Sequence, residues 1–140
     1  MPSITYDSWL KELLMGLDED SLKNGISVNW QTSTLFSLDY IPEVSGVYVI
    51  FRNFGFIQTP LYVGQSSNLH KRLFEHTNNE SNLILELLMT NNQRNIVVKW
   101  AKVPKSQLNG VEEFLYNKLK PACNKISPPN NKEIPCNLPI

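Results

Sequence analysis

Two short apolar runs in the middle of the chain constrain its fold more than any other feature. Residues 46–51 (Gly-Val-Tyr-Val-Ile-Phe) and residues 61–63 (Leu-Tyr-Val) are rich in β-branched and aromatic side chains, which is typical of strands. A loop is expected around residues 53–55, and the two runs are close enough in sequence to pair as an antiparallel hairpin. The sequence therefore predicts that a hairpin forms the centre of the fold.

The pattern of apolar residues after the hairpin changes from strand to helix. It predicts helices at residues 69–76 and 83–89, a third strand at 96–103, and a last helix within 106–119. The order β-β-α-α-β-α implies an α+β fold, with a small three-stranded antiparallel sheet flanked by helices.

The flanking segments differ from this central part. Residues 1–43 are expected to be an N-terminal extension whose amphipathic helix, at residues 8–17, packs on the core. Residues 44–125 form the predicted domain. Residues 126–140 hold four prolines in fifteen positions, which predicts an extended C-terminal tail that is either loose or pinned to the surface.

The composition indicates in which cellular compartment the protein is expected. No apolar run approaches the roughly 20 residues that cross a bilayer, and the first residues lack the pattern of a signal peptide. Cys123 and Cys136 are not in a Cys-x-x-Cys pair, which favours reduced thiols. We therefore expect a cytoplasmic protein.

Charge is unevenly distributed although the net charge is zero. Residues 1–43 carry two Lys/Arg against seven acids, whereas residues 44–125 carry ten Lys/Arg against five acids. A basic segment suits a phosphate-binding surface, because neutralised phosphates release their counterions. The alternative is that the excess charges are simply solvated.

Two tyrosines lie on the predicted hairpin, each near a glycine. Tyr48 follows Gly46 and Tyr62 precedes Gly64 by two positions. Taken alone, the pair is better explained as a cross-strand aromatic contact that stabilises the sheet.

A cationic cluster follows Gly64 at the start of the next helix. Arg72 and His76 stand one helical turn apart with Lys71 beside them, and the helix begins near Ser67. Free amides at a helix N-terminus, together with cationic side chains, can hold a phosphate. A solvated basic helix face is the structural alternative.

Glu112 stands out in the last helix by its position. The apolar stripe of this helix contains Leu108, Val111, Leu115 and Leu119, and Glu112 lies within it. A carboxylate there is costly unless it is paired or binds a metal, although it could also reach solvent at the stripe's edge. Glu113 is expected to face away from the stripe, with Asn117 and Lys120.

Together these residues resemble the GIY-YIG nucleases. The triplets at 46–48 (Gly-Val-Tyr) and 62–64 (Tyr-Val-Gly) resemble the two motifs that name the family, with valine in place of isoleucine. Arg72 and His76 match the arginine and histidine of its first helix. Glu112, Pro121 and Asn124 match its later glutamate, proline and asparagine in order and spacing. The resemblance covers about residues 44–125.

The resemblance implies a metal-dependent endonuclease that hydrolyses phosphodiester bonds in double-stranded or branched DNA. Glu112 would hold Mg²⁺ or Mn²⁺, and Arg72 would hold the phosphate. Tyr48 would act as the base, with Tyr62 positioning water or phosphate and His76 contacting the phosphate or relaying the proton. The site implied for phosphate or DNA binding consists of Gly64, Ser67, Lys71 and Asn124.

Three questions stay open at this level. Tyrosine has an unperturbed pKa of about 10, so either nearby cations lower the pKa of Tyr48 or His76 is the actual base. The alternative function is an inactive module of the same fold that binds nucleic acid or a protein partner. Because no DNA-reading motif is evident, a homodimer or a separate targeting subunit would supply specificity.

Overall fold

The computed structural model describes residues 25–78, 82–124 and 132–140. The helix predicted at residues 8–17 lies outside these ranges. Among the helices that fall within them, none is long and apolar enough to cross a membrane.

Four antiparallel strands form the sheet in this part of the chain. They are β1 (Gln31–Thr34), β2 (Gly46–Phe54), β3 (Ile57–Ser66) and β4 (Ile96–Lys102), in the spatial order β1-β4-β2-β3. The α+β class is confirmed, but the sheet has four strands where the sequence predicted three. The additional strand, β1, has the sequence Gln-Thr-Ser-Thr and is mostly exposed, so it carries no apolar alternation to reveal it.

Three α-helices flank the sheet in the described ranges. They are α1 (Leu69–Asn78), α2 (Leu83–Asn91) and α3 (Leu108–Leu119). Single-turn 3-10 helices occur at Leu38–Tyr40, Gln93–Asn95 and Lys105–Gln107. All three predicted helices of the 44–125 domain are thus confirmed.

The sheet separates two apolar cores, because successive side chains of a strand point to opposite faces. One core joins Val47 and Val49 of β2 to Val111 and Leu115 of α3. The other core joins Tyr48 and Ile50 of β2 to residues of α1 and α2, including Leu69, Leu73 and Leu85. Consequently α3 packs on one face of the sheet, and α1 and α2 pack on the other.

The segment after α3 covers the outer edge of β3. The backbone N–H of Cys123 donates to the carbonyl of Leu61 at 2.7 Å. The side chain of Asn124 accepts from the N–H of Val63 at 3.0 Å and donates to its carbonyl at 2.9 Å. An amide side chain thus mimics a neighbouring strand, which protects an edge that could otherwise pair with another chain.

The described part of the tail, residues 132–140, is pinned to the domain. Cys136 forms a parallel bridge with Ile26 and is completely buried. Asn137 exchanges two hydrogen bonds with the backbone of Val28, at 2.8 and 3.0 Å, and its carbonyl accepts from the Trp30 indole N–H at 2.8 Å. Cys123 and Cys136 are both free and buried.

We predict that Asn124→Ala lowers the free energy of unfolding by about 1–3 kcal/mol, because two backbone groups of Val63 lose their partner. Urea denaturation would measure the change. The matched control is Asn117→Ala, whose side chain makes one exposed hydrogen bond to Glu133 and should shift stability by less than about 0.5 kcal/mol. Equal stabilities for the two variants would contradict this role of Asn124.

Candidate active site

The two tyrosines lie diagonally across the hairpin rather than directly opposite each other. Tyr48 pairs with Gly64 and Tyr62 pairs with Ile50. Both side chains therefore leave the same face of the sheet, with ring centroids 6.1 Å apart and planes at 19°. Tyr48 is buried, whereas Tyr62 is only half-buried. Of the two phenols, Tyr62 is the one that solvent reaches.

His76 completes this aromatic cluster from α1. Leu69, Leu73 and His76 recur at helical spacing and are all buried, so the histidine continues the apolar face of the helix beneath the hairpin. Its Nε2 lies 2.7 Å from the Tyr48 hydroxyl oxygen. Its ring also meets both tyrosine rings edge-on, with centroids 5.5 and 5.0 Å away. A phenol and an imidazole thus share a hydrogen bond that is shielded from solvent.

Gly64 makes room for this arrangement. A Cβ atom at this position would overlap the ring and hydroxyl of Tyr48. Gly64 lies inside β3 and not in a turn. Its small size, and not its flexibility, explains why this position holds a glycine.

The N-terminus of α1 differs from the phosphate cradle that the sequence suggested. The Asn68 side chain, not Ser67, caps the helix by accepting from the N–H of Lys71 at 3.0 Å. The N–H of Leu69 is bonded to the carbonyl of Val44 at 2.9 Å. These two amides are therefore occupied, because the cap and the segment before β2 already satisfy them. Ser67 is exposed in the turn before the helix.

Lys71 and Arg72 are the two cationic side chains in the first turn of α1. Lys71 is exposed, and the side chain of Arg72 is one-third exposed. Arg72 forms an ion pair with Glu75 at 3.6 Å. An ion pair between partly exposed side chains contributes little to stability and is screened by salt.

Glu112 approaches β3 from the other face of the sheet. Gln65 lies opposite Val47 in the hairpin, on the α3 face, and its side chain hydrogen-bonds to Glu112. Burial and, to a smaller extent, the neighbouring carboxylate of Glu113 raise the pKa of Glu112 to about 7, against the opposing effect of the Gln65 hydrogen bond. The carboxyl group is therefore about half-ionised at neutral pH.

Glu113 corrects the simple periodicity argument. It was expected to face away from the core, yet it is 7% exposed and its Oε2 is buried without a hydrogen-bond partner. The reason is that the tail covers a second side of α3. Ile134 donates to the carbonyl of Gly110 at 3.0 Å, and Glu133 accepts from Asn117. Gly110, Glu113 and Asn117 are three and four residues apart, so all three lie on the side of α3 that the tail covers.

The contacts thus join the predicted site residues in two groups. Tyr48, Tyr62 and His76 form one cluster on the α1 face of the sheet. Glu112 reaches β3 on the α3 face, and Asn124 reaches it along its outer edge. Because β3 is the outermost strand, both groups border the same edge of the sheet.

Sequence reasoning missed Gln65, the residue that hydrogen-bonds to Glu112. Gln65 follows the second tyrosine triplet directly and hydrogen-bonds to both Glu112 and Asn109. Side chains alternate between the two faces of a strand, so Gln65 lies on the same α3 face as Val63. This alternation could have identified Gln65 from the sequence. Its partners could not be inferred, because they depend on where α3 crosses the sheet.

The donor set limits which metal the chain can hold. Within the described ranges, no three His, Cys, Asp or Glu side chains lie close enough together to bind one ion. The Glu112 carboxyl group, whose pKa of about 7 allows it to ionise near neutral pH, is an oxygen donor that fits a hard divalent cation that keeps most of its water ligands, as Mg²⁺ does.

Comparison with solved structures identifies the fold. The chain matches the GIY-YIG N-terminal endonuclease domain of UvrC from Thermotoga maritima, in two tyrosine-to-phenylalanine variants bound to the catalytic divalent cation. The identities are 19% and 20%, the TM-scores 0.50 and 0.51, and each match covers 79% of this chain and 100% of that domain. An asparagine-to-alanine variant of the same domain matches at 19% identity with a TM-score of 0.50.

No protein-family model matches this chain, and no curated protein does. The chain has the fold of a GIY-YIG endonuclease domain, as the resemblance of its motifs implied.

The raised pKa of Glu112 predicts how the stability of the metal-free protein depends on pH. The folded chain keeps this proton up to about pH 7, whereas the unfolded chain loses it near 4.5, so stability falls as pH rises through that window. Glu112→Gln is always neutral and should therefore be more stable than wild type at pH 8, by about 1–2 kcal/mol after solvent screening. The two proteins should be alike at pH 4.5.

Thermal unfolding in EDTA at both pH values would measure this difference. Glu75→Gln, at a more exposed carboxylate, is the control and should show no comparable gain. A Glu112→Gln variant that is no more stable than wild type at pH 8 would refute the assignment of a costly ionised carboxylate.

Proposed function

We propose that this chain is a divalent-metal-dependent endonuclease that hydrolyses phosphodiester bonds in DNA. The observation that carries the proposal is the shielded hydrogen bond between Tyr48 and His76, at 2.7 Å, in a chain with the GIY-YIG fold. A buried phenol needs only one hydrogen bond for structural purposes, and a backbone carbonyl would provide it. Pairing it with an imidazole instead provides a nitrogen base that can accept the proton of the phenol.

Proton transfer from water would pass through this pair. As the water oxygen bonds to phosphorus, its proton moves to the Tyr48 oxygen while the Tyr48 proton moves to His76 Nε2. The burial of Tyr48 supports this concerted route, because a dry environment disfavours a free phenolate. In this scheme His76 is the final proton acceptor. Tyr62, which is half-buried, orients the water or the phosphate from the solvent side.

The remaining residues would bind and orient the phosphate. Arg72 exchanges its exposed partner Glu75 for a phosphate oxygen, and Lys71 adds a second positive charge nearby. Asn124 anchors the segment after α3 along β3, and Gln65 directs the Glu112 carboxylate toward the same strand. Gly64 contributes by admitting the Tyr48 ring.

Glu112, with water molecules, would hold Mg²⁺ or Mn²⁺. When bound, such an ion would supply positive charge that stabilises the phosphate group and the leaving oxyanion. The likeness to UvrC domains that bind a catalytic divalent cation supports this assignment. A proton competes with the metal for Glu112, so metal affinity should rise with pH up to about 7.

The setting of the reaction is part of the proposal. Buried, unpaired Cys123 and Cys136 are compatible with a reducing cytoplasm. Target choice would come from a second copy of the chain, a separate targeting subunit or the shape of the DNA.

We predict that Glu112→Gln abolishes Mg²⁺-dependent cleavage of DNA while DNA binding in EDTA is retained. The matched control is Glu113→Gln on the neighbouring position, which should retain activity within about tenfold because it keeps the shape of the buried side chain. The assay uses supercoiled, linear and branched DNA with and without Mg²⁺.

Cleavage that survives Glu112→Gln and fails in Glu113→Gln would show that the neighbouring carboxylate holds the metal. Binding without cleavage by the wild-type chain on all three substrates would favour the inactive module.

Tyr48→Phe removes only the hydroxyl and should lower the cleavage rate by about 10²–10⁴-fold, as expected for loss of a general base. Tyr62→Phe is the matched control at the half-buried phenol, and it should reduce the rate less. Single-turnover cleavage at saturating protein would measure both rates. Full activity of Tyr48→Phe would exclude the phenol from the proton path and leave His76 to act alone.

A further inference from the structure

The tip of the β2–β3 hairpin, residues 53–58, projects beyond the rest of the sheet. Strand β4 pairs with β2 only as far as Arg52, which lies opposite Ile96. Beyond that point the two arms pair with each other, as Asn53 with Gln58 and Phe54 with Ile57. Gly55, with φ of 58°, begins a two-residue turn that holds the tip in a tight hairpin.

This hairpin tip carries large apolar side chains in solvent. Phe56 is fully exposed, at 109%, while Ile57 is 69% and Phe54 is 47% exposed. The Arg52 guanidinium lies 5.0 Å from the Phe54 ring centroid, so a cation covers one aromatic face. These side chains do not pack on either apolar core, so the stability of the fold does not explain why they are apolar. A contiguous exposed apolar patch of this kind usually marks a binding site.

The charge of the hairpin indicates which kind of partner the tip would bind. Residues 44–74, which include the whole hairpin and the start of α1, contain no Asp or Glu but include Arg52, Lys71 and Arg72. The two hairpin strands therefore carry no acidic side chain of their own, while cations lie near the tip and at the start of α1. Exposed phenylalanines next to cations are the side chains on which nucleic-acid bases stack.

The length of the hairpin determines how far from Tyr62 the tip would contact a bound DNA strand. Phe56 is six residues from Tyr62 along β3, which at about 3.3 Å per residue is roughly 20 Å. At about 3.4 Å per nucleotide, this distance corresponds to about six nucleotides.

We propose that the hairpin tip is a base-stacking wedge. Phe56, flanked by Phe54 and Ile57, inserts beside unpaired or weakly stacked bases about six nucleotides from the phosphate at the Tyr62 site. This proposal rests on the proposed nuclease function and specifies its substrate as DNA that is branched, bubbled or otherwise easily unstacked. The gain from stacking compensates for opening the duplex only where the bases are already loose.

The test compares Phe56→Ala with Phe36→Ala in the full chain. Phe36 is 73% exposed and follows β1, at the opposite edge of the sheet from β3, so it matches Phe56 in type and exposure. Binding is measured in EDTA by fluorescence anisotropy, with a labelled duplex that contains a six-nucleotide bubble and with the fully paired duplex. 2-Aminopurine within the bubble reports base unstacking.

Phe56→Ala should weaken bubble binding about tenfold or more and abolish the 2-aminopurine signal, while Phe36→Ala stays within twofold of wild type. Phe56→Trp should restore both readouts. The dependence of affinity on salt should be unchanged in all variants, because stacking releases no counterions.

The wedge is wrong if Phe56→Ala leaves the bubble affinity and the 2-aminopurine signal intact, or if Phe36→Ala loses as much affinity. It is also wrong if Phe56→Ala reduces the salt dependence of binding, or if sedimentation shows that Phe56→Ala dissociates a dimer. The first of these outcomes, in a chain that still cleaves DNA, removes the wedge alone. A wild-type chain that neither binds nor cleaves DNA would instead reject the nuclease function.

Discussion

The Tyr48 ring occupies space that Gly64 leaves open on the paired strand, and its hydroxyl reaches His76 at 2.7 Å. This contact requires three elements to be placed together: β2 and β3 in one register, and α1 with its buried face against the hairpin. A one-residue slip of the hairpin would turn the tyrosines to the α3 face and separate them from the histidine. The proposed chemistry therefore depends on strand register.

The outermost strand, β3, borders both groups of candidate site residues. Asn124 closes part of its outer edge by pairing with Val63, and Gln65, two residues along the strand, binds Glu112 from the α3 face. Tyr62 leaves the opposite face of the same strand.

Adjacent carboxylates on α3 are in very different surroundings. Glu112 has the Gln65 hydrogen bond and a pKa of about 7, while Glu113 is covered on the tail side and leaves one oxygen unpartnered. The tail therefore affects the surroundings of both acids although it lies outside the motifs of residues 44–125. Its contacts with Gly110 and Asn117 also hold the helix that carries both acids.

The sequence by itself determined the order of elements, the α+β class and the identity of Tyr48, Tyr62 and His76 as candidate site residues, because these depend on local periodicity and motif spacing. Only the tertiary structure decided that β1 joins the sheet, that Asn68 caps α1 and that Glu113 is buried. A polar edge strand leaves no apolar pattern. Burial on a second side of a helix depends on a tail that is distant in sequence, and its contacts exist only once the chain has folded.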